Sequence, residues 1–124
     1  MSKHPFRVAV EADDFDAALE TLAPDVVFRS PAVHRPYEGR DVVGALLTVV
    51  GETFENFRYT SEWRDGDTTI LFFEASVGTR ELQGVDILEH DADGLVRRFT
   101  VMVRPLSGLQ ALSAAVAARI EASG

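Results

Sequence analysis

The 124-residue sequence has no cysteine, and a single lysine stands against eleven arginines. Without cysteine, neither a disulfide framework nor a thiolate metal site can form. No stretch approaches the roughly 20 consecutive apolar residues needed to span a bilayer. The opening Met-Ser-Lys-His-Pro carries no apolar run of the kind that marks a secretory leader. A cytoplasmic protein without membrane contact is therefore expected. The arginine-for-lysine bias fits the codon usage of a GC-rich bacterial genome. Arginines are also scattered: only Arg97 and Arg98 are adjacent, and net charge is −8. A chain this acidic repels polyphosphate, so nucleic acid is not an expected partner. Gly-x-Gly-x-x-Gly, Walker A, Gly-x-Ser-x-Gly and His-Glu-x-x-His are all missing. Asp91-Ala-Asp-Gly94 starts like a calcium loop but lacks the later ligands. Neither metal nor cofactor is expected.

The sequence that remains is ordinary for one globular domain over residues 1–124, with 46% hydrophobic and 26% charged residues. Pro5 suits the first turn of a helix running through Phe6, Val8, Ala9, Val10 and Ala12. Asp13 or Asp14 can cap a second helix, with Phe15, Ala18, Leu19 and Leu22 on one face and Pro24 as its stop. Val26 to Pro31 reads as a short strand, and Ala32 to Gly39 as a loop. Asp41 is placed to cap a third helix carrying Val43, Leu46, Leu47, Val50 and Phe54.

Beyond Asn56 the period changes to two. Phe57, Tyr59, Ser61 and Trp63 share one face of the first strand. An Asp-Gly turn leads to Thr68–Val77, apolar on much of both faces and so central. Strands over Arg80–His90 and Leu95–Pro105 follow. Ser107 to Gln110 fits a capping box opening a last helix, with Leu109, Leu112, Val116 and Ile120 facing inward. Helices segregated from an antiparallel sheet give an α+β fold. Helices laid on one face of a strongly curved sheet enclose a cone, a natural small-molecule pocket.

Asp86 breaks the strand pattern. It shares a face with Leu82, Gly84 and Leu88, and it is either a solvated surface acid or a carboxyl turned into the interior. A lone ionised carboxylate there costs several kcal/mol. It must therefore raise its pKa, pair, or stay wet. It is either a hydrogen-bonded structural acid or a group of a ligand site. His34, in the loop after Pro31, is either an exposed loop residue or the second candidate acid or base.

"EADDFDAALETLAPDVVFRSP", "PYEGRDVV" and "GVDILEHDADGLVRRFTVMVRP" together resemble the SnoaL-like branch of the nuclear transport factor 2-like superfamily. The resemblance covers nearly the whole chain. Relatives include ketosteroid isomerases, limonene epoxide hydrolases, scytalone dehydratases and polyketide cyclases. It implies a cone-like curved antiparallel sheet under N-terminal helices, a C-terminal helix, and a homodimer formed through the outer sheet face. Aligned on the ketosteroid isomerase pattern, Phe6 falls where those enzymes place an oxyanion-binding tyrosine. Ser30 falls where they place the aspartate base, and Asp86 where they keep a protonated acid. A phenyl ring donates no hydrogen bond, and a serine without a base moves no proton near neutral pH.

The expected protein has an apolar interior pocket for a small apolar or aromatic molecule. Phe6, Val10, Phe28, Leu47, Phe99 and Val101 are its walls; Asp86, with Tyr59 or Trp63, is its polar handle. One alternative is an isomerase, cyclase or hydrolase on a steroid-, terpenoid- or polyketide-like substrate, with Asp86 as acid or base and His34 assisting. The other is a structural dimerisation domain whose cone is filled by its own side chains.

Overall fold

A computed structural model describes residues 2–123. Helix α1 (Pro5–Glu11) and helix α2 (Phe15–Glu20) lead into strand β1 (Leu22–Arg29) and the two-residue strand β2 (Tyr37–Glu38). Helix α3 (Arg40–Thr53) precedes four long strands: β3 (Glu55–Asp65), β4 (Thr68–Val77), β5 (Arg80–His90) and β6 (Val96–Arg104). Helix α4 (Leu106–Ser123) closes the chain. The six strands form one sheet in the order β2-β1-β6-β5-β4-β3. Every pairing is antiparallel except β1 with β6, which run parallel.

Local chemistry explains most boundaries. Pro5 stands in the first turn of α1, where its missing N–H costs nothing. Asp14 caps α2, its side chain accepting from the Ala17 N–H at 3.1 Å. Pro24 does not stop this helix. The helix ends at Glu20 with Thr21 as its cap, and Leu22 and Pro24 lie in β1. The register of β1 on β6 shifts between Leu22 and Val27. Pro24 falls in that irregular stretch, where no ladder bond is demanded of it. Gly39, not Asp41, caps α3: its φ of 93° suits glycine, and Asp41 sits in the first turn near the positive end of the helix dipole. The last helix starts at Leu106, so Ser107 lies inside it rather than at its cap.

One interruption in β3 matters for the site. Tyr59 pairs with Phe73, but Ser61 pairs with Phe72, so Thr60 is an extra residue in the strand. Such a bulge shifts every later side chain to the opposite face. Tyr59 is buried on the inner face, whereas Trp63 is 54% exposed on the outer one. The uninterrupted alternation that put both aromatics on one face ends at Thr60.

The core lies between the inner sheet face and the helices, around Phe6, Leu22, Val26, Leu71, Phe73, Leu82, Leu88 and Phe99. Two rows of apolar side chains cross the outer face. Trp63 stands beside Ile70 and Ile87, and Phe72 beside Val85 and Met102.

Candidate functional site

Asp86 faces the interior. It pairs with Leu71 on β4 and Val101 on β6, and only 6% of its surface is accessible. The Tyr59 hydroxyl donates to its Oδ2 at 2.9 Å. The carboxyl lines a cavity of about 500 Å³. Around it stand Phe6 and Val10 of α1, Phe28 of β1, Leu47, Val50 and Phe54 of α3, and Leu112 and Val116 of α4. Sheet residues Phe73, Phe99 and Val101 complete the wall, and Asp13 and Ser30 also line it.

Each element delivers its side chains by simple periodicity. Phe6 and Val10 are one helical turn apart on α1, as are Leu47, Val50 and Phe54 on α3 and Leu112 and Val116 on α4. On the sheet, Phe99 and Val101 alternate inward, and Gly84 and Asp86 do likewise. Aromatic packing makes the cavity rigid. The Phe6 ring meets Phe99 edge-on at 5.2 Å, and Phe57 stacks on Phe73 at 5.1 Å and meets Tyr59 edge-on at 4.9 Å.

Electrostatics single out Asp86. Burial raises its pKa to about 7, and donation from Tyr59 opposes that rise. The acid is thus near balance between protonated and ionised forms at neutral pH. Burial, together with the neighbouring Asp86 charge, pushes the Tyr59 phenol well above its ordinary range, so Tyr59 stays protonated and donates to Asp86. The Arg7 guanidinium lies 6.0 Å from the centre of the Tyr59 ring and is itself paired with Glu11 and Glu62. Carboxylates Asp13 and Asp86 are the charged residues of the lining, with no arginine, lysine or histidine among the described residues there. A group able to hold a metal is not found among the described residues.

Of the residues singled out in the sequence, Phe6, Phe28, Tyr59, Phe99, Val101 and Asp86 converge on this cavity. Trp63 and His34 do not. Trp63 is turned away by the bulge at Thr60, and His34 is exposed outside the lining in a loop that contributes Pro31, Ala32, Val33 and Tyr37 instead. Ser30 lines the cavity, with its Oγ accepting from the Ala32 N–H at 2.9 Å. This is a turn-stabilising role. Asp13 was legible only as a possible helix cap. Its place at the cavity follows from a left-handed turn between α1 and α2, φ 58°. The pairing of buried His4 with half-buried His90 carries no sequence signal at all, since the rings lie 86 positions apart.

The SnoaL-like domain matches residues 5–99. The chain belongs to the SnoaL-like family. Among solved structures, this SnoaL-like protein is similar to a steroid Δ-isomerase from Pseudomonas aeruginosa. Identity is 42% and the TM-score 0.89, over 94% of this chain and 86% of the other. It also resembles an uncharacterised bacterial protein with a cystatin-like fold from Silicibacter pomeroyi, at 33% identity and TM-score 0.88, over 94% and 83% of the two chains. An NTF-2 like protein of unknown function from Burkholderia xenovorans, at 22% identity and TM-score 0.70 over 86% of each chain, shares the fold. No curated protein matches the chain. Among the described residues, no helix is long and apolar enough to cross a membrane.

Proposed function

We propose that this SnoaL-like protein binds a small, uncharged, mainly apolar or aromatic molecule whose one polar group meets Asp86. The observation that carries this reading is the buried Asp86 carboxyl, bonded through Oδ2 to Tyr59, on the wall of a mainly apolar cavity of about 500 Å³. That volume suits a compact ligand, within the usual range for small-molecule sites. A carboxyl that titrates near neutrality can donate its proton to a ligand carbonyl or accept from a ligand hydroxyl. Anionic ligands are disfavoured, because the charged lining residues are both acids. The likeness to a steroid Δ-isomerase supports a molecule of steroid-like size and polarity.

Thermal denaturation with steroid, terpenoid and polyketide probes tests this reading. A ligand at a hundred times its Kd adds about 2.7 kcal/mol of stability. A neutral probe should raise Tm and its carboxylated analogue should not; the shift should shrink in Asp86→Leu. Absence of any shift, or equal shifts in wild type and Asp86→Leu, would overturn the reading.

A second reading, proton transfer on such a molecule by Asp86, is favoured by the same neutral-range carboxyl. An isomerisation assay in which activity tracks Asp86→Asn supports it; unchanged turnover in that variant rejects it. The open cavity speaks against a purely structural domain filled by its own side chains. We also propose a homodimer joined through the outer sheet face, supported by the exposed Trp63 and Met102. A cytoplasmic location completes the proposal.

A further inference from the structure

We propose that His4 and His90 form a latch that holds α1 over the cavity only while both rings are uncharged. Its geometry fixes every proton. His4 Nδ1 accepts from the Phe6 N–H at 3.0 Å, so this nitrogen carries a lone pair. His90 Nδ1 lies 2.7 Å from the Asp67 carbonyl oxygen, an acceptor, so this nitrogen carries a hydrogen. Between the rings, His4 Nε2 and His90 Nε2 stand 2.7 Å apart and share one hydrogen. Only one assignment satisfies the chain: His4 donates through Nε2–H and His90 accepts through Nε2. Two protons fill the four ring nitrogens, and the pair is neutral.

A third proton has no place in this arrangement. On His4 Nδ1 it would oppose the Phe6 N–H. On His90 Nε2 it would oppose the hydrogen of His4. The first placement loses the cap of α1; the second loses the bond that ties the start of α1 to β5. Surrounding charges do not remove the conflict. From β3, Glu62 favours a charged His4, but it is already engaged by the His4 N–H at 3.0 Å, by Arg7 and by Arg64. Arg64 itself opposes charge on His4. From α1, Arg7 and Glu11 are paired with each other, and Lys3 with Glu11. On β5, neighbouring Glu89 is held by Arg29 and Arg98. Burial and the second ring together bring His4 down to about 4.

The latch sits where it can act on the ligand site. His4 is the N-cap of α1, and α1 contributes Phe6 and Val10 to the cavity wall. Seven residues of helix have little stability without tertiary anchors. Protonation removes either that anchor or the cap, so acid loosens α1 and opens the cavity. This regulation rests on the ligand reading above for its purpose, but the latch is measured without ligand.

Imidazole ¹⁵N spectra at pH 7.5 should show His4 as the Nε2–H tautomer and His90 as the Nδ1–H tautomer. Amide hydrogen exchange over residues 6–10, corrected for intrinsic rates, should quicken about tenfold or more between pH 7.5 and pH 4.5. Protection in α3 should hold over the same range. In His4→Asn/His90→Asn the first asparagine can still cap α1, neither position titrates, and the acid loss in α1 should vanish. Other tautomers, flat α1 protection in wild type, or the same acid loss in the double variant would overturn the latch. Should that variant not fold, the wild-type tautomers and α1 exchange still decide. Failure of every probe to bind, beside an intact α1 transition, would reject the ligand reading alone.

Discussion

Tyr59 on β3 reaches across the intervening strand β4 to donate to Asp86 on β5. Space for this contact comes from Gly84. Phe73 lies between Tyr59 and Gly84 in the same cross-strand row, and the Phe73 ring occupies the room a Gly84 side chain would fill. A buried acid is thereby given one donor and left with an oxygen free for the cavity.

Removing that donor should be visible at Asp86 itself. The Tyr59 bond favours the ionised carboxyl, so Tyr59→Phe should move the Asp86 pKa above its value of about 7. Carboxyl ¹³C titration measures this. Stability should fall by about 1–2 kcal/mol for the lost hydrogen bond. An unchanged titration would mean that the hydroxyl does not bond the acid in solution.

Asp86 should make stability fall with rising pH. Its folded pKa lies near 7 against 3.8 in the unfolded chain, so the native state binds more protons between those values. Stability is therefore lost as pH rises from about 4 through 7. At about 1.4 kcal/mol per pH unit the ceiling is roughly 4 kcal/mol. Asp86→Asn keeps an acceptor for Tyr59 and removes the charge. Its Tm relative to wild type should be higher at pH 8 than at pH 5. Parallel melting curves at the two pH values would contradict a raised pKa.

His4 works in the opposite direction. Its folded pKa of about 4 lies below the ordinary 6.5, so the unfolded chain binds more protons between them. That contribution is present above 6.5 and is lost as pH falls toward 4. In wild type the two trends offset one another over much of this range. In Asp86→Asn, acid destabilisation should stand out more sharply than in wild type. Chemical denaturation at half-unit pH steps would show it.

Gly84→Ala should be costly. An added Cβ would lie 2.4 Å from Phe73 Cζ and 2.6 Å from the Met102 carbonyl oxygen. The ring is packed against Phe54, Phe57 and Tyr59, and the backbone oxygen belongs to the β5–β6 ladder. A loss of roughly 1–3 kcal/mol is expected from such overpacking. A neutral result by urea denaturation would mean that the strands separate more easily than their register suggests.

The outer sheet face can be tested by charge. Trp63→Glu/Met102→Glu should convert a dimer into monomers by light scattering, because both side chains are more than half exposed on that face. Val42→Glu, on the similarly exposed outer side of α3, should leave assembly unchanged. A monomeric wild type would remove the dimer proposal.

How much of this was legible in the sequence depends on the range of the signal. Asp86 was found because it interrupts a locally apolar strand between Val85 and Ile87, and the SnoaL-like resemblance, not the alternation, turned its face inward. The inward stripes of α3 and α4 were legible because their period is local too. Trp63 was misplaced because a bulge is a property of a strand pair. Nothing in "FRYTSEWR" marks Thr60 as the extra residue; only the register against β4 does. Pro24 likewise reads as a helix stop, yet its tolerance in β1 depends on where β6 pairs.

Composition and periodicity determined an α+β order of elements, because those signals act within a few residues along the chain; the SnoaL-like resemblance supplied the cone and turned Asp86 inward. Tertiary structure alone decided that the acid's partner is Tyr59 and not Trp63, that Asp13 joins the cavity, and that His4 meets His90. Those contacts bring together side chains from separate elements, and their geometry is set by strand register and turn conformation, which no single segment encodes.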